Sequence, residues 1–187
     1  MGTIGKDFKY KVIKNFLSKD EIILLQNYFI IRHKNNKKHF DETSDNFAST
    51  FYADSLTESF LAIKHSLVEK ESGKQLFPTY SCWRTYTYGD ELIPHQDRPS
   101  CEISVTVNVG SSVKWPIEMD GEKVFLDTGD ACIYLGIDVK HSREVLLGDH
   151  SLNVFLHYVD KNGLYKDYLF DKRNFLGEYS NVKALLE

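Results

Sequence analysis

The sequence predicts an α+β fold in which N-terminal helices buttress a double-layered antiparallel sheet or barrel. Three observations carry that prediction. Two stretches with helical periodicity, each with its own start signal, lie in the first seventy-odd residues. From Thr79 onward the hydrophobic period drops to two and tight-turn dipeptides recur. Aromatic residues reach 13%, with eleven Tyr and twelve Phe, a bias that favours strands. Helices first and then strands joined by short turns argue for α+β, and a jelly roll is one such architecture. A length of 187 residues suits one domain that buries its core without cross-links. The expected division is a helical buttress with short strands (1–78), a jelly-roll core (79–160) and a C-terminal extension (161–187).

Each element has a local reason. Tyr10 to Ile13 reads as a short opening strand. Ser18-Lys19-Asp20-Glu21 is a capping box, and Ile22, Leu25 and Phe29 follow at helical spacing. The basic, polar run Arg32 to His39 is expected as a solvated loop. Ser55-Leu56-Thr57-Glu58 is a second capping box, with Phe60, Ile63 and Leu67 as the buried stripe and Gly73 as C-cap. In Cys101 to Val109, Ile103, Val105, Val107 and Val109 face one way; Ser104, Thr106 and Asn108 face the other. That polar side faces solvent in most sheets but lines a pocket in a small barrel. Asp120-Gly121 marks a hairpin, Thr128-Gly129-Asp130 a turn into Ala131–Leu135, and Ser151 to Val159 the last strong strand.

Composition excludes several classes. A net charge of −4 provides no basic field, so no nucleic-acid partner is expected. No segment is apolar for long enough to span a bilayer, so no membrane partner is expected, and Met1-Gly2 lacks the Ser or Thr that would complete a myristoylation signal. Three cysteines without metal-type spacing argue against a disulfide framework and for a reducing, cytoplasmic setting. Cys101 and Cys132 are read as small buried hydrophobes. Oligomeric state is unreadable.

The chemistry resides in His95-Gln96-Asp97 and the distant His141. Two imidazoles and one carboxylate are the ligands of a facial triad that holds Fe(II) and leaves the opposite face open. Residues i and i+2 of a strand point the same way, so His95 and Asp97 can bind one ion together. His141 must then arrive from a strand folded back over the first.

Tyr86-Thr87-Tyr88-Gly89 ahead of His95-Gln96-Asp97 resembles the Y-x-x-G…H-x-D signature of the iron- and 2-oxoglutarate-dependent oxygenases, in their prolyl-hydroxylase-like branch. Val12 to Ser18 is similar to that branch's entry into its first helix. Gly129-Asp130-Ala131 before a strand and then His141 resembles its distal-histidine segment, and Phe155 to Val159 its final core strand. The resemblance spans residues 10 to 160. It implies a double-stranded β-helix (the jelly roll), Fe(II) bound by His95, Asp97 and His141, and 2-oxoglutarate and O2 as co-substrates. It also implies hydroxylation of a C–H bond, with release of succinate and carbon dioxide. The implied partner is a protein or peptide substrate, a prolyl residue included, or a small molecule.

One departure stands out. The family usually places Arg or Lys nine or ten residues beyond the distal histidine to hold the co-substrate's far carboxylate, and here the zone reads Gly148-Asp149-His150-Ser151. His150, Arg98 and Arg143 are the candidates for that role, with Arg84 in reserve. Tyr86 matches the family tyrosine near the co-substrate, and Ser104 and Thr106 line the pocket by analogy. Trp83, Trp115 and His157 are read first as core. The missing cation keeps two other readings open: a cupin-like metalloenzyme independent of 2-oxoglutarate, and a non-catalytic binding module of the same fold.

Overall fold

A computed structural model describes residues 9–35 and 49–177. The elements follow as β1 (Tyr10–Ile13), α1 (Lys19–Asn35), β2 (Ser49–Tyr52), α2 (Ser55–Ser72), β3 (Leu76–Thr87), β4 (Leu92–His95) and β5 (Ile103–Ser111). Then come β6 (Ile117–Met119), β7 (Glu122–Val124), β8 (Ala131–Leu135), β9 (His141–Arg143) and β10 (His150–Asp160). Six strands form one sheet in the order β1-β8-β5-β10-β3-β2, and four form a second, β4-β9-β6-β7. From β3 to β10 the chain alternates between the sheets except at the β6–β7 hairpin, which stays in the second, and every pairing is antiparallel. That winding is a double-stranded β-helix: an α+β jelly roll with its helices on the larger sheet.

Strand parity decides what faces what. On β5 and β10, Ile103, Val105 and Val107 and Leu152, Val154 and Leu156 join Leu25, Phe29, Leu61 and Trp83 in the main core, under the helices. The opposite parity, Ser104, Thr106, Asn153 and His157, is also buried, but inside the barrel. The polar face of β5 therefore lines an interior. Trp83 is core, stacked between Phe29 and Phe51 with ring centroids 4.1 and 4.0 Å away. Cys101 and Cys132 are buried, and burial pushes both thiols up to about 12.

The capping boxes fare differently. At α1, Ser18 N–H donates to Glu21 and Glu21 N–H donates back to Ser18 Oγ, at 2.7 and 3.2 Å. At α2 the cap is Asp54, whose carboxylate accepts from Leu56 N–H. Glu58 is instead drawn inward to a buried ion pair with Arg173, 2.8 Å away. That inward turn rotates the stripe: Thr57, Leu61 and Val68 are buried with Phe60, whereas Ile63 is 68% exposed. Gly73 ends the helix at φ +67, its N–H donating to Glu69 O. Asp120 and Gly121 adopt φ +51 and +89 between β6 and β7, as a two-residue hairpin requires.

The basic run expected as a loop begins as helix, since α1 reaches Asn35 and Arg32 lies 3.4 Å from Asp54. The rest of that run lies outside the described residues. Beyond β10 the chain returns along β3. Phe170, Asp171 and Lys172 take positive φ there, held by Arg98 and Tyr52 on Asp171 and by Arg173 on Glu58. Among the described residues no helix is long and apolar enough to cross a membrane.

Candidate metal centre

The metal-type residues meet where the smaller sheet crosses the barrel mouth. β4 and β9 pair so that His95 lies directly opposite His141. Two residues beyond β4, Asp97 N–H donates to Gly136 O at 2.8 Å and turns the carboxylate back over the two rings. Asp97 Oδ1 lies 3.7 Å from His95 Nε2 and 3.6 Å from His141 Nε2, and the three donor atoms fall within 4.8 Å of one another.

The tautomers are set by the backbone. His95 Nδ1 is 2.8 Å from Ile93 O and His141 Nδ1 is 3.0 Å from Val139 O. A carbonyl only accepts, so each Nδ1 carries the proton and each Nε2 presents a lone pair to the common point. Asp97 is fixed in turn. Ser104 Oγ–H donates to Oδ2 at 2.9 Å, and Ser104 Oγ in turn accepts from His157 Nδ1–H at 2.9 Å. Oδ1 is thus left for an ion.

Protonation follows the surroundings. Burial pushes the Asp97 carboxyl up, but the His95 contact, the nearby imidazoles and Ser104 more than offset it, so its pKa falls. Burial lowers the pKa of His141, and that of His157 to about 4, keeping both rings neutral. His95 is raised by its contact with Asp97. An octahedral ion bound at about 2.1 Å separates adjacent donors by about 3 Å. Two neutral imidazoles and a carboxylate at 3.6–3.7 Å fit such an ion after a small inward shift.

Glycine at 136 is required by close approach. A Cβ there would lie 2.2 Å from Cys101 O and 2.5 Å from Asp97 Oδ2. Nothing in the local sequence marks this position, because its neighbours come from other strands. The Ser104–His157 link escaped sequence reasoning for the same reason.

Behind the donors lies a cavity of ≈ 90 Å³. Tyr80, Cys82, Arg84 and Tyr86, all of one parity on β3, form one wall, with Phe155 and His157 of β10 beside them. Tyr86 is fully buried and packs edge-on against Trp115, at 4.9 Å between centroids. The guanidinium of Arg143 lies over Trp115 at 4.8 Å. It is buried, donates to Trp115 O and to Asn153 Oδ1 at 2.8 and 3.3 Å, and leaves Nε without a partner. Thr106, on the barrel-facing side of β5, is buried with its hydroxyl equally unpartnered.

The other anchor candidates point elsewhere. His150 shares the parity of Leu152 and Val154, lies outside the barrel and is exposed. Arg98, one residue past Asp97, points the opposite way, onto the Tyr80 ring at 4.6 Å and to Asp171 at 2.7 Å. The cation on the cavity wall is Arg84.

The solved structures that this chain matches share its double-stranded β-helix. A prolyl-4-hydroxylase from Pseudomonas putida superposes with a TM-score of 0.65 at 14% identity, over 82% of this chain and 94% of that one. The viral collagen prolyl hydroxylase of Paramecium bursaria Chlorella virus-1, solved with 2-oxoglutarate, superposes at 0.63 and 10% identity, over 81% and 96%. The non-heme alpha-ketoglutarate-dependent epimerase SnoN of nogalamycin biosynthesis gives 0.67 and 12%, over 82% and 78%. The fold of this chain is therefore that of the Fe(II)- and 2-oxoglutarate-dependent oxygenases, prolyl hydroxylases among them. No family model and no curated relative matches its sequence.

Proposed function

We propose that the protein is a non-haem Fe(II)- and 2-oxoglutarate-dependent dioxygenase that hydroxylates a C–H bond, with a prolyl residue of a protein or peptide as the first substrate to test. The observation that carries this reading is the donor set itself. His95, Asp97 and His141 turn three lone pairs to one point, each fixed from behind by a backbone carbonyl or by Ser104. Bound there, iron with 2-oxoglutarate and O2 supplies the oxidising power for hydroxylation, and succinate and carbon dioxide leave.

The chain's own residues do the rest. Neutral His95 and His141 and ionised Asp97 hold the metal. Arg143 holds the far carboxylate of the co-substrate. Its charge is buried among neutral acceptors, and a buried cation without a counter-ion is costly until an anion joins it. Along β9, Arg143 lies two steps from the ligand His141, about 7 Å of strand, a span that suits a five-carbon dicarboxylate. Tyr86 and Thr106 supply hydroxyls on the same path, and Leu92, Phe155 and Tyr134 exclude water.

The test is an anaerobic titration of metal-free protein with Fe(II) and then 2-oxoglutarate, followed by the visible band of a chelated keto acid. A saturating band is expected. His95→Ala, Asp97→Ala and His141→Ala should each remove it, together with succinate formation. Tightly held zinc and no band would replace this reading with a cupin-like metalloenzyme.

A further inference from the structure

Resting on that reading, we infer that Arg84 is a specificity-determining residue that receives a carboxylate of the primary substrate, so the enzyme acts on an acid. Arg84 sits on β3 between Cys82 and Tyr86, directly opposite Asn153 of β10. It is the cationic side chain on the cavity wall, and its charge reaches the ligand His95. Its guanidinium has little to do in the structure. One Nη lies 3.5 Å from the Tyr86 hydroxyl, the plane rests on Phe155 at 6.0 Å, and Nε is buried without a partner. No carboxylate among the described residues forms an ion pair with it, although Arg98 and Arg173 nearby each have one.

Depth separates the two free guanidiniums. Arg143 is buried, with its guanidinium over Trp115, and is not among the lining residues; on this reading it takes the co-substrate. Arg84 is half-buried in the cavity wall, which it shares with the three expected ligands. Charge points the same way. Two guanidiniums and a divalent ion, set against Asp97 and a dicarboxylate, leave one positive charge over. A substrate with a single carboxylate neutralises it inside a low-dielectric barrel, where an unbalanced charge is costly. Arginine presents a planar fork to a carboxylate, a geometry that a neutral amide cannot match.

The experiment follows the Arg Nε–H resonances by NMR in the full chain loaded with diamagnetic Zn(II) and 2-oxoglutarate. Propionate is the probe and propionamide its neutral match; N-acetyl-aspartyl amide forms a second arm that separates a free small acid from an acidic residue in a peptide. The expected result is a saturable shift of the Arg84 resonance with propionate or the aspartyl probe and none with propionamide. Arg84→Gln should abolish the shift while changing 2-oxoglutarate affinity less than threefold. The inference is overturned if propionamide acts as propionate does. It is also overturned if 2-oxoglutarate alone saturates Arg84 and Arg84→Gln loses it, because Arg84 is then the co-substrate anchor. If 2-oxoglutarate perturbs neither arginine, the functional reading has failed; the propionate titration repeated on zinc-loaded protein without 2-oxoglutarate still decides whether Arg84 is an anion site.

Discussion

Replacing Arg143 by Met should move co-substrate affinity and protein stability independently. The guanidinium is buried, and its two partners, Trp115 O and Asn153 Oδ1, are neutral. Burial alone lowers its pKa, as expected of a cation that lacks a counter-ion. Loss of two hydrogen bonds to neutral acceptors costs roughly 1–3 kcal/mol in all. Removing a desolvated, unpaired charge returns a few kcal/mol, so the ligand-free variant should be no less stable than the parent by more than about 1 kcal/mol. Binding should suffer instead. A charge-assisted hydrogen bond contributes about 1.5–3 kcal/mol, so 2-oxoglutarate should bind about 10- to 150-fold more weakly. In the parent, co-substrate at a hundred times its Kd stabilises the fold by about 2.7 kcal/mol. For a chain of this length that raises the melting midpoint by about 5–11 °C. At the same concentration the variant should keep half of that rise or less. Differential scanning calorimetry under nitrogen with Mn(II), with and without 2-oxoglutarate, reads both quantities. The reasoning fails if the variant binds 2-oxoglutarate normally. It also fails if the ligand-free variant loses 3–5 kcal/mol, because Arg143 would then have had a protein counter-ion all along.

Three further outcomes are expected. Arg173→Ala strands the carboxylate of Glu58, a pair with both side chains at most 3% exposed, and should cost about 3–5 kcal/mol, roughly 6–20 °C in midpoint; Glu58→Leu in the same chain should recover part of it by calorimetry. Gly136→Ala drives a Cβ against Cys101 O and Asp97 Oδ2 and should weaken Fe(II) or Mn(II) binding about 10- to 100-fold while the circular dichroism of the fold persists; unchanged affinity would refute the contact. Metal affinity should climb with pH through the raised pKa of His95 and then level off, because that ring must shed its proton before Nε2 can bind, while His141 is already neutral. In metal-free protein the sign reverses: the His95–Asp97 contact contributes fully below pH 6.5 and is lost as pH rises through the folded value, so opposite pH trends in calorimetry and in metal titration are the check.

The sequence carried the local physics. The cap at Ser18, the hairpin at Asp120-Gly121, the turn at Gly129 and the alternation through β5 each rest on neighbours a few residues apart, and each appears in the fold. The expected ligands could be named because His95 and Asp97 lie two apart on one extended segment and His141 follows a recognisable turn and strand. Where local signals competed with tertiary ones, the tertiary ones won. Ser55-x-x-Glu58 has the pattern of a capping box, yet Glu58 finds a buried arginine 115 residues away, which leaves Asp54 as the cap and Ile63 in solvent. His150 sits at the family's position for a cation, but the parity of β10 turns it outward.

Sequence by itself determined the fold class and marked the residues expected to hold a metal, because propensity, periodicity and ligand type are properties of short segments. Only the tertiary structure decided which polar face became an interior, why position 136 must be glycine, and how Ser104 and His157 orient Asp97. It alone separated four possible cations into one buried against Trp115, one on the cavity wall and two outside. The physical reason is that burial, unpaired charge and close approach arise from residues far apart in the chain, brought together when β3, β4, β8, β9 and β10 close around one cavity.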